Sequence, residues 1–344
     1  MRIGAVEKLA ADEACKAARK VLAKVELGED PQGDKAAARP KAARTMKAVA
    51  EDFLAAKRVE LRPATYRVTE LYLLRGPYFK ALHTAAITDI TLADVSAHLT
   101  AITRNHSSIT AAHARSKLSS LFAWAVGEGL CMFNPVVGSN KPQTSIPRER
   151  VLSDAELAAI WLACADDDFG GIVKLLILTG CRRLEIGGMR WSEVDLEQGA
   201  LSLPKERVKN GHAHVVPLSQ PALSILETLQ HGDRDFVFGA RSQRGFTSWG
   251  EAKLRLDSRL TGRVAEWRLH DLRRTAATRM ADLGVLPHII EAVLNHYSGH
   301  RSGVAGIYNR SPYERDKRVA LDLWAAHVID IVEGRAAKIV PLRA

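Results

Sequence analysis

Three stretches of this chain, far apart in sequence, combine side chains that bind phosphate or move protons with residues that break a helix. In Thr179-Gly180-Cys181-Arg182-Arg183-Leu184-Glu185, Gly180 is suited to end a helix in the left-handed conformation, and Arg182 then sits at the sharp corner that follows. In His270-Asp271-Leu272-Arg273-Arg274-Thr275, His270 and Arg273 stand three apart at a helix start. That spacing puts them on one face, beside the positive end of the helix dipole. The third stretch is Leu294-Asn295-His296, closing a helix opened by Pro287, followed by a Gly-rich run and Ile307-Tyr308-Asn309-Arg310. Planar guanidinium forks suit phosphate oxygens, and imidazoles exchange protons near neutral pH. Singly, each has a plainer reading: a lone arginine is most often a surface salt-bridge residue, and a histidine near a helix start is most often merely solvated.

Taken together and in order, Arg182, Lys209, His270, Arg273, His296 and Tyr308 resemble the site of the tyrosine recombinases, the family of phage and genomic-island integrases. The resemblance implies that Tyr308 is the nucleophile that attacks a DNA phosphate, leaving a 3′-phosphotyrosyl link and a free 5′-hydroxyl. Arg182 and Arg273 would hold the non-bridging oxygens and stabilise the five-coordinate transition state, with His296 donating a further hydrogen bond. His270 would accept the phenolic proton. Lys209 would protonate the departing 5′ oxygen from a hairpin that orders when DNA binds. A phosphotyrosine conserves the phosphodiester energy, so no ATP is needed; no G-x-x-x-x-G-K-[ST] element and no carboxylate cluster of the two-metal kind occurs in the chain. Neither cofactor nor metal is expected.

Each role has a competitor. Lys205 and Arg207 share the hairpin with Lys209, with backbone contact from a charged strand face as their plainer role. Tyr297 and Tyr313 compete with Tyr308 but suit packing better, and Cys181 reads as a small packing residue. Glu185 and Asp271 are expected to hold the basic residues in place. The twelve residues from His296 to Tyr308 exceed the interval in many family members, and the roles of His300 and Arg301 within it are open. The implied partners are double-stranded DNA attachment sites, a homo-tetramer on synapsed DNA and, in some family members, DNA-bending accessory proteins. A type IB topoisomerase, or a non-catalytic DNA-binding relic or regulator, are the alternatives.

The elements that must position these residues are mostly helical. Residues 9–27 have helical spacing and lead into a polar, Ala-rich run to Arg44; they resemble the last helix and tether of an arm-binding domain whose preceding strands are missing, which suggests a truncated or unusual start. Helices are predicted over 45–58, 64–74, 91–103 and 107–128, Thr91 and Asp94 forming a capping arrangement. These make a helical core-type DNA-binding domain, 45–142, joined by a Pro-rich linker, 143–150, to a catalytic domain, 151–344. In the latter, Ser153-x-x-Glu156 forms a capping box, and helices follow to Ala165 and over 171–179. Strands 200–204 and 214–218 flank a tight Asn210-Gly211 turn. Further helices are predicted over 220–231, 248–260, 270–283, 287–294 and 312–332, the last opened by a Ser311–Glu314 box with Pro312 at its first position. Its apolar stripe of Leu321, Trp324, Val328 and Ile331 can pack in cis or on a neighbour. The expected fold is mainly α with a small antiparallel sheet: a helical core-binding domain and a mixed α/β catalytic domain of the tyrosine-recombinase kind.

Composition agrees with a nucleic-acid partner. The net charge is +10, and it is uneven: residues 1–150 carry 23 Lys and Arg against 15 Asp and Glu, while residues 151–344 carry 26 against 24. A basic first half suits a phosphate backbone, whose counterions are released on contact. Cys15, Cys131, Cys164 and Cys181 are scattered without metal-ligand spacing. No apolar run reads as a membrane span and no secretory signal is recognisable, so the expected compartment is the cytoplasm.

Overall fold

The computed structural model describes residues 15–16, 18–20, 22–23, 44–144, 148–229, 234–239, 244–296 and 313–335. The described residues among 15–23 are helical. The chain divides into two compact units, Met1–Pro147 and Arg148–Ala344.

In the first unit, helices form where a capping side chain precedes an apolar stripe. Helix α1 (Met46–Lys57) starts at Thr45, whose hydroxyl accepts the Ala48 N–H. Helix α2 (Pro63–Glu70) has proline at its first position and runs into a π-helical turn over Leu71–Arg75. Helix α3 (Leu92–Asn105) opens with the expected Thr91–Asp94 box, and α4 (Ser108–Gly127) is capped by Ser107. Their inner faces meet around Met46, Phe53, Leu73, Phe79, Leu118 and Phe122, all buried.

The second unit is built around a helix buried on nearly every side. Helix α5 (Asp154–Ala163) begins with the Ser153–Glu156 box. Helix α6 (Asp168–Thr179) starts three residues before the predicted point because the Asp167 carboxylate caps it, accepting the Gly170 N–H at 2.7 Å. It ends at Gly180 in the left-handed conformation, φ 62°. A five-residue helix, α7 (Arg183–Gly187), follows at once. Strands β1 (Val194–Asp195), β2 (Ala200–Leu203) and β3 (His214–Pro217) form an antiparallel sheet in that order. Helices α8 (Gln220–Glu227), α9 (Trp249–Arg259), α10 (Leu269–Asp282), α11 (Pro287–Val293) and α12 (Glu314–Val332) complete the unit.

Two local expectations give way. The Asn-Gly pair does not make a two-residue hairpin turn: the last β2–β3 pair is Leu203 with His214, leaving residues 204–213 as a longer excursion. The pair is used instead inside it, Asn210 Oδ1 accepting the His212 N–H at 3.1 Å while Gly211 takes φ 75°. The last helix opens at Glu314 rather than Pro312. Tyr313 is left-handed, φ 49°, with its ring drawn against His288 at 5.4 Å between centroids; Ser311 and Pro312 lie outside the described residues. Helix α12 packs in cis: Leu321, Trp324 and Val328 are buried in the unit's own core, and Trp324 Nε1 donates to the Ile177 carbonyl at 2.7 Å. No helix among the described residues is long and apolar enough to cross a membrane.

Candidate active site

The end of helix α11 organises the site. The helix closes in a Schellman turn: His296 N–H donates to the Glu291 carbonyl at 2.9 Å and Asn295 N–H to Ala292 at 3.2 Å, with Asn295 left-handed at φ 48°. A helix end leaves carbonyls without partners, and here three successive ones are taken by side chains from three other segments. Val293 accepts from His214 Nε2 on β3 at 3.0 Å. Leu294 accepts from Arg273 Nη2 on α10. Asn295 accepts from Asn210 Nδ2 on the β2–β3 excursion at 2.7 Å. His296 follows directly and faces solvent.

Arg273 ties a further segment into the same place. Its Nη1 donates to the carbonyl of Gly180, the αL residue that ends α6, at 2.6 Å. Two residues on, Arg182 is the N-cap of α7. Glu185, buried at 3% exposure, fixes this arginine twice, accepting from the Arg182 backbone N–H and from its Nη1, each at 2.8 Å. The expected holding role of Glu185 is therefore visible in the geometry. Asp271 acts differently: it caps α10 by accepting the Arg268 N–H at 2.8 Å and pairs with Arg274 at 3.0 Å and Arg148 at 3.6 Å. It anchors the first turn of the helix that carries His270 and Arg273.

Arg182, His270, Arg273 and His296 thus share one basic corner and feel one another's charge. Burial, then Arg182, brings the Arg273 guanidinium down to about 10. Partial burial, then Arg273, Arg182 and His270, pulls the His296 imidazole down to about 4. His270 is lowered by burial and then by Arg274 and Arg273. Both imidazoles are therefore neutral at pH 7, and the corner favours an anion that would offset the crowded positive charge. Two of the five N–H donors of Arg273 hold carbonyls, and the other three have no hydrogen-bond partner among the described residues. Burial pushes the Cys181 thiol beside Arg182 up to about 12, which makes it a packing residue with no thiolate at neutral pH.

The excursion distinguishes its three cations. Arg207 is fixed, pairing with buried Glu193 and donating to the carbonyls of Leu184 and, at 2.8 Å, Glu185. Lys205 is exposed. Lys209 is exposed too, but it lies between Val208, fully buried, and Asn210, which is bonded to Asn295. Arg207, Val208 and Asn210 tie the excursion to the rest of the unit. Tyr308, its competitor Tyr297, and His300 and Arg301 lie outside the described residues. Sequence reasoning missed the parts played by Asn210, His214 and Asn295. The αL preference of asparagine at a helix end was the one available signal, and it is local to Asn295.

The model of the phage integrase family matches residues 149–315, and that of the phage integrase central domain matches residues 46–140. The chain is 34% identical over 188 residues to the shufflon-specific DNA recombinase of Escherichia coli, covering 54% of this chain and 46% of that protein. It is 29% identical to prophage integrase IntZ of Escherichia coli (strain K12), over 86% of this chain and 74% of that one. With prophage integrase IntA of the same strain it shares 32% identity, spanning 36% of that protein. Less than half the length of the shufflon recombinase and of IntA is thus spanned. Among solved structures, a lambda integrase tetramer bound to a Holliday junction matches with TM-score 0.62 at 19% identity, covering 86% of this chain and 90% of that one. A lambda integrase dimer bound to a COC′ core site matches with TM-score 0.61 at 20% identity, covering 89% of each. At that identity the structures speak for the fold, which is the tyrosine-recombinase fold expected. With the two family models accounting for about three quarters of its residues, the chain belongs to the phage integrase family.

Proposed function

We propose that the protein is a site-specific DNA recombinase, an integrase that cleaves and rejoins DNA through a 3′-phosphotyrosyl intermediate to integrate or excise a prophage or genomic island. The observation that carries this reading is the pair of bonds from Arg273 to the Gly180 and Leu294 carbonyls. It draws Arg182, Arg273, His270 and His296 into one anion-favouring corner.

In the reaction, Tyr308 Oη attacks the scissile phosphorus and the P–O5′ bond breaks. Full ionisation of a phenol of pKa ~10 would cost roughly 4 kcal/mol at pH 7, so proton transfer during attack is preferred. Neutral His270 is the acceptor. Arg182 and Arg273 bind the non-bridging oxygens, His296 donates a hydrogen bond to them, and the Lys209 ammonium gives its proton to the leaving 5′ oxygen. Rejoining reverses each transfer. Residues 45–142 serve as the core-type DNA-binding domain and 151–344 as the catalytic domain, and the working assembly is a homo-tetramer on two synapsed attachment sites. The Holliday-junction tetramer of lambda integrase, similar in fold, supports that assembly.

The test is a nicked suicide substrate whose short 5′-hydroxyl strand diffuses away after cleavage. With EDTA and without ATP, the chain should become attached to a DNA 3′ end through Tyr308, identified by mass spectrometry of the trapped peptide. Tyr308→Phe should bind the site and form no adduct. An adduct on Tyr297 or Tyr313, a 5′ attachment, or undiminished trapping by Tyr308→Phe would overturn the mechanism.

A further inference from the structure

Asn210 and Asn295 bind each other's segments in both directions. Asn210 Nδ2 donates to the Asn295 carbonyl at 2.7 Å, and Asn295 Nδ2 donates to the His212 carbonyl at 3.2 Å. Asn210 is itself locked, since its Oδ1 accepts the His212 N–H at 3.1 Å. One asparagine therefore sits immediately after Lys209 and the other immediately before His296.

We propose that this double amide clasp is a positioning device for leaving-group protonation: it fixes the backbone of Lys209 relative to the turn that presents His296. The inference rests on the reading of Lys209 as the proton donor to the 5′ oxygen.

Asn295 occupies a left-handed position, φ 48°, where glycine is the residue of least strain. A side chain there is tolerated, and this one is 2% exposed and used for a bond that glycine cannot make. On the other side, Lys209 is exposed while Val208, just before it, is fully buried. Val208 anchors the backbone on one side of the lysine and the clasp anchors it on the other, leaving the ammonium free to swing through solvent over a short arc. Behind the clasp, His214 bonds the Val293 carbonyl and ties β3 to α11, while Lys317 Nζ on α12 donates to the Val215 carbonyl at 2.6 Å and ties β3 to α12. General acid catalysis depends on holding the donor within hydrogen-bond reach of the oxygen as its bond breaks, and a ten-residue excursion without the clasp would leave the lysine's distance unset.

The experiment compares single-turnover cleavage of the same nicked DNA carrying either an ordinary 5′ oxygen or a 5′-phosphorothiolate, whose sulfur leaves without protonation. Asn210→Asp keeps the acceptor for the His212 N–H and removes the donor to Asn295; Asn295→Gly keeps the left-handed turn and removes the donor to His212. Each should slow cleavage of the oxygen substrate by roughly 10–100-fold, leave DNA affinity unchanged and recover most of the rate on the sulfur substrate. Combining either with Lys209→Ala should add little to the effect of Lys209→Ala alone. If Lys209→Ala is rescued by sulfur but both asparagine variants are slowed equally on the two substrates, the clasp merely supports the fold and the inference fails. If Lys209→Ala is itself not rescued, the lysine assignment fails first and takes the inference with it. Asn295→Gly carries the test should Asn210→Asp not fold.

Discussion

Arg273 donates through Nη1 to the carbonyl oxygen of Gly180 at 2.6 Å, across 93 residues of chain. The bond makes the guanidinium a structural bridge as well as a ligand for phosphate, because its other end holds the Leu294 carbonyl. Lysine keeps the charge but cannot fork between two carbonyls. Arg273→Lys should therefore lower stability by about 1–3 kcal/mol through a carbonyl left unsatisfied, and slow strand cleavage by at least ~100-fold through the lost transition-state contact. Urea unfolding and single-turnover cleavage measure the two effects separately. Wild-type stability in this variant would show that the bridge does not matter.

A second bond at the same helix end predicts an acid limit. His214 is 6% exposed, donates to Val293, and is pulled down to about 3 by burial first and Lys317 second. Its folded value lies below the value of the unfolded chain, so the unfolded chain binds the proton first as pH falls. The stability it contributes is complete above about 6.5 and is lost as pH drops towards about 3, by up to roughly 4 kcal/mol. His296, lowered to about 4, acts in the same direction. His214→Gln can still donate to the carbonyl and does not titrate; its melting temperature should fall less steeply between pH 6.5 and 4 than that of the wild type. Parallel curves for the two proteins would refute the assignment.

What could be read from sequence follows the range of the forces involved. The Thr91–Asp94 and Ser153–Glu156 boxes and the left-handed Gly180 are decided by residues within one turn of chain, and each stands where it was expected. Helix α7 and strand β1, five and two residues long, are too short to show a period. The Asn210-Gly211 pair signalled a tight hairpin because its local preference is strong. The structure uses it inside a wider excursion, since Arg207 and Val208 first make contacts with α7 and the core. For the site, residue types and order suggested the family, whereas the carbonyls of Val293, Leu294 and Asn295 meeting His214, Arg273 and Asn210 join segments 79, 21 and 85 residues apart. No local pattern encodes that.

Binding to non-specific duplex DNA should weaken steeply with salt. The surplus of cations over anions in residues 1–150 is the larger share of the +10 net charge, and each phosphate neutralised contributes close to one unit of log–log slope. A titration of affinity between about 50 and 200 mM salt should show a slope of several units. A nearly flat response would remove the electrostatic argument for DNA binding by the first unit.

Arg207 and Lys209, two residues apart, should separate completely in their mutant behaviour. Arg207 pairs with Glu193, which is 7% exposed, and donates to the Leu184 and Glu185 carbonyls at the end of α7. Removing it leaves a buried carboxylate without its partner, a change that costs about 3–5 kcal/mol when the pair is fully buried and somewhat less at a partly exposed arginine. Arg207→Ala should therefore lower the melting temperature by several degrees and reduce cleavage of oxygen and sulfur leaving groups alike, since it loosens the corner that holds Arg182. Lys209, exposed and without a hydrogen-bond or ion-pair partner among the described residues, should show the reverse when changed to alanine: unchanged melting, with a cleavage defect confined to the oxygen leaving group. Sulfur rescue of Arg207→Ala with native stability would overturn the assignment and move leaving-group protonation from Lys209 to Arg207.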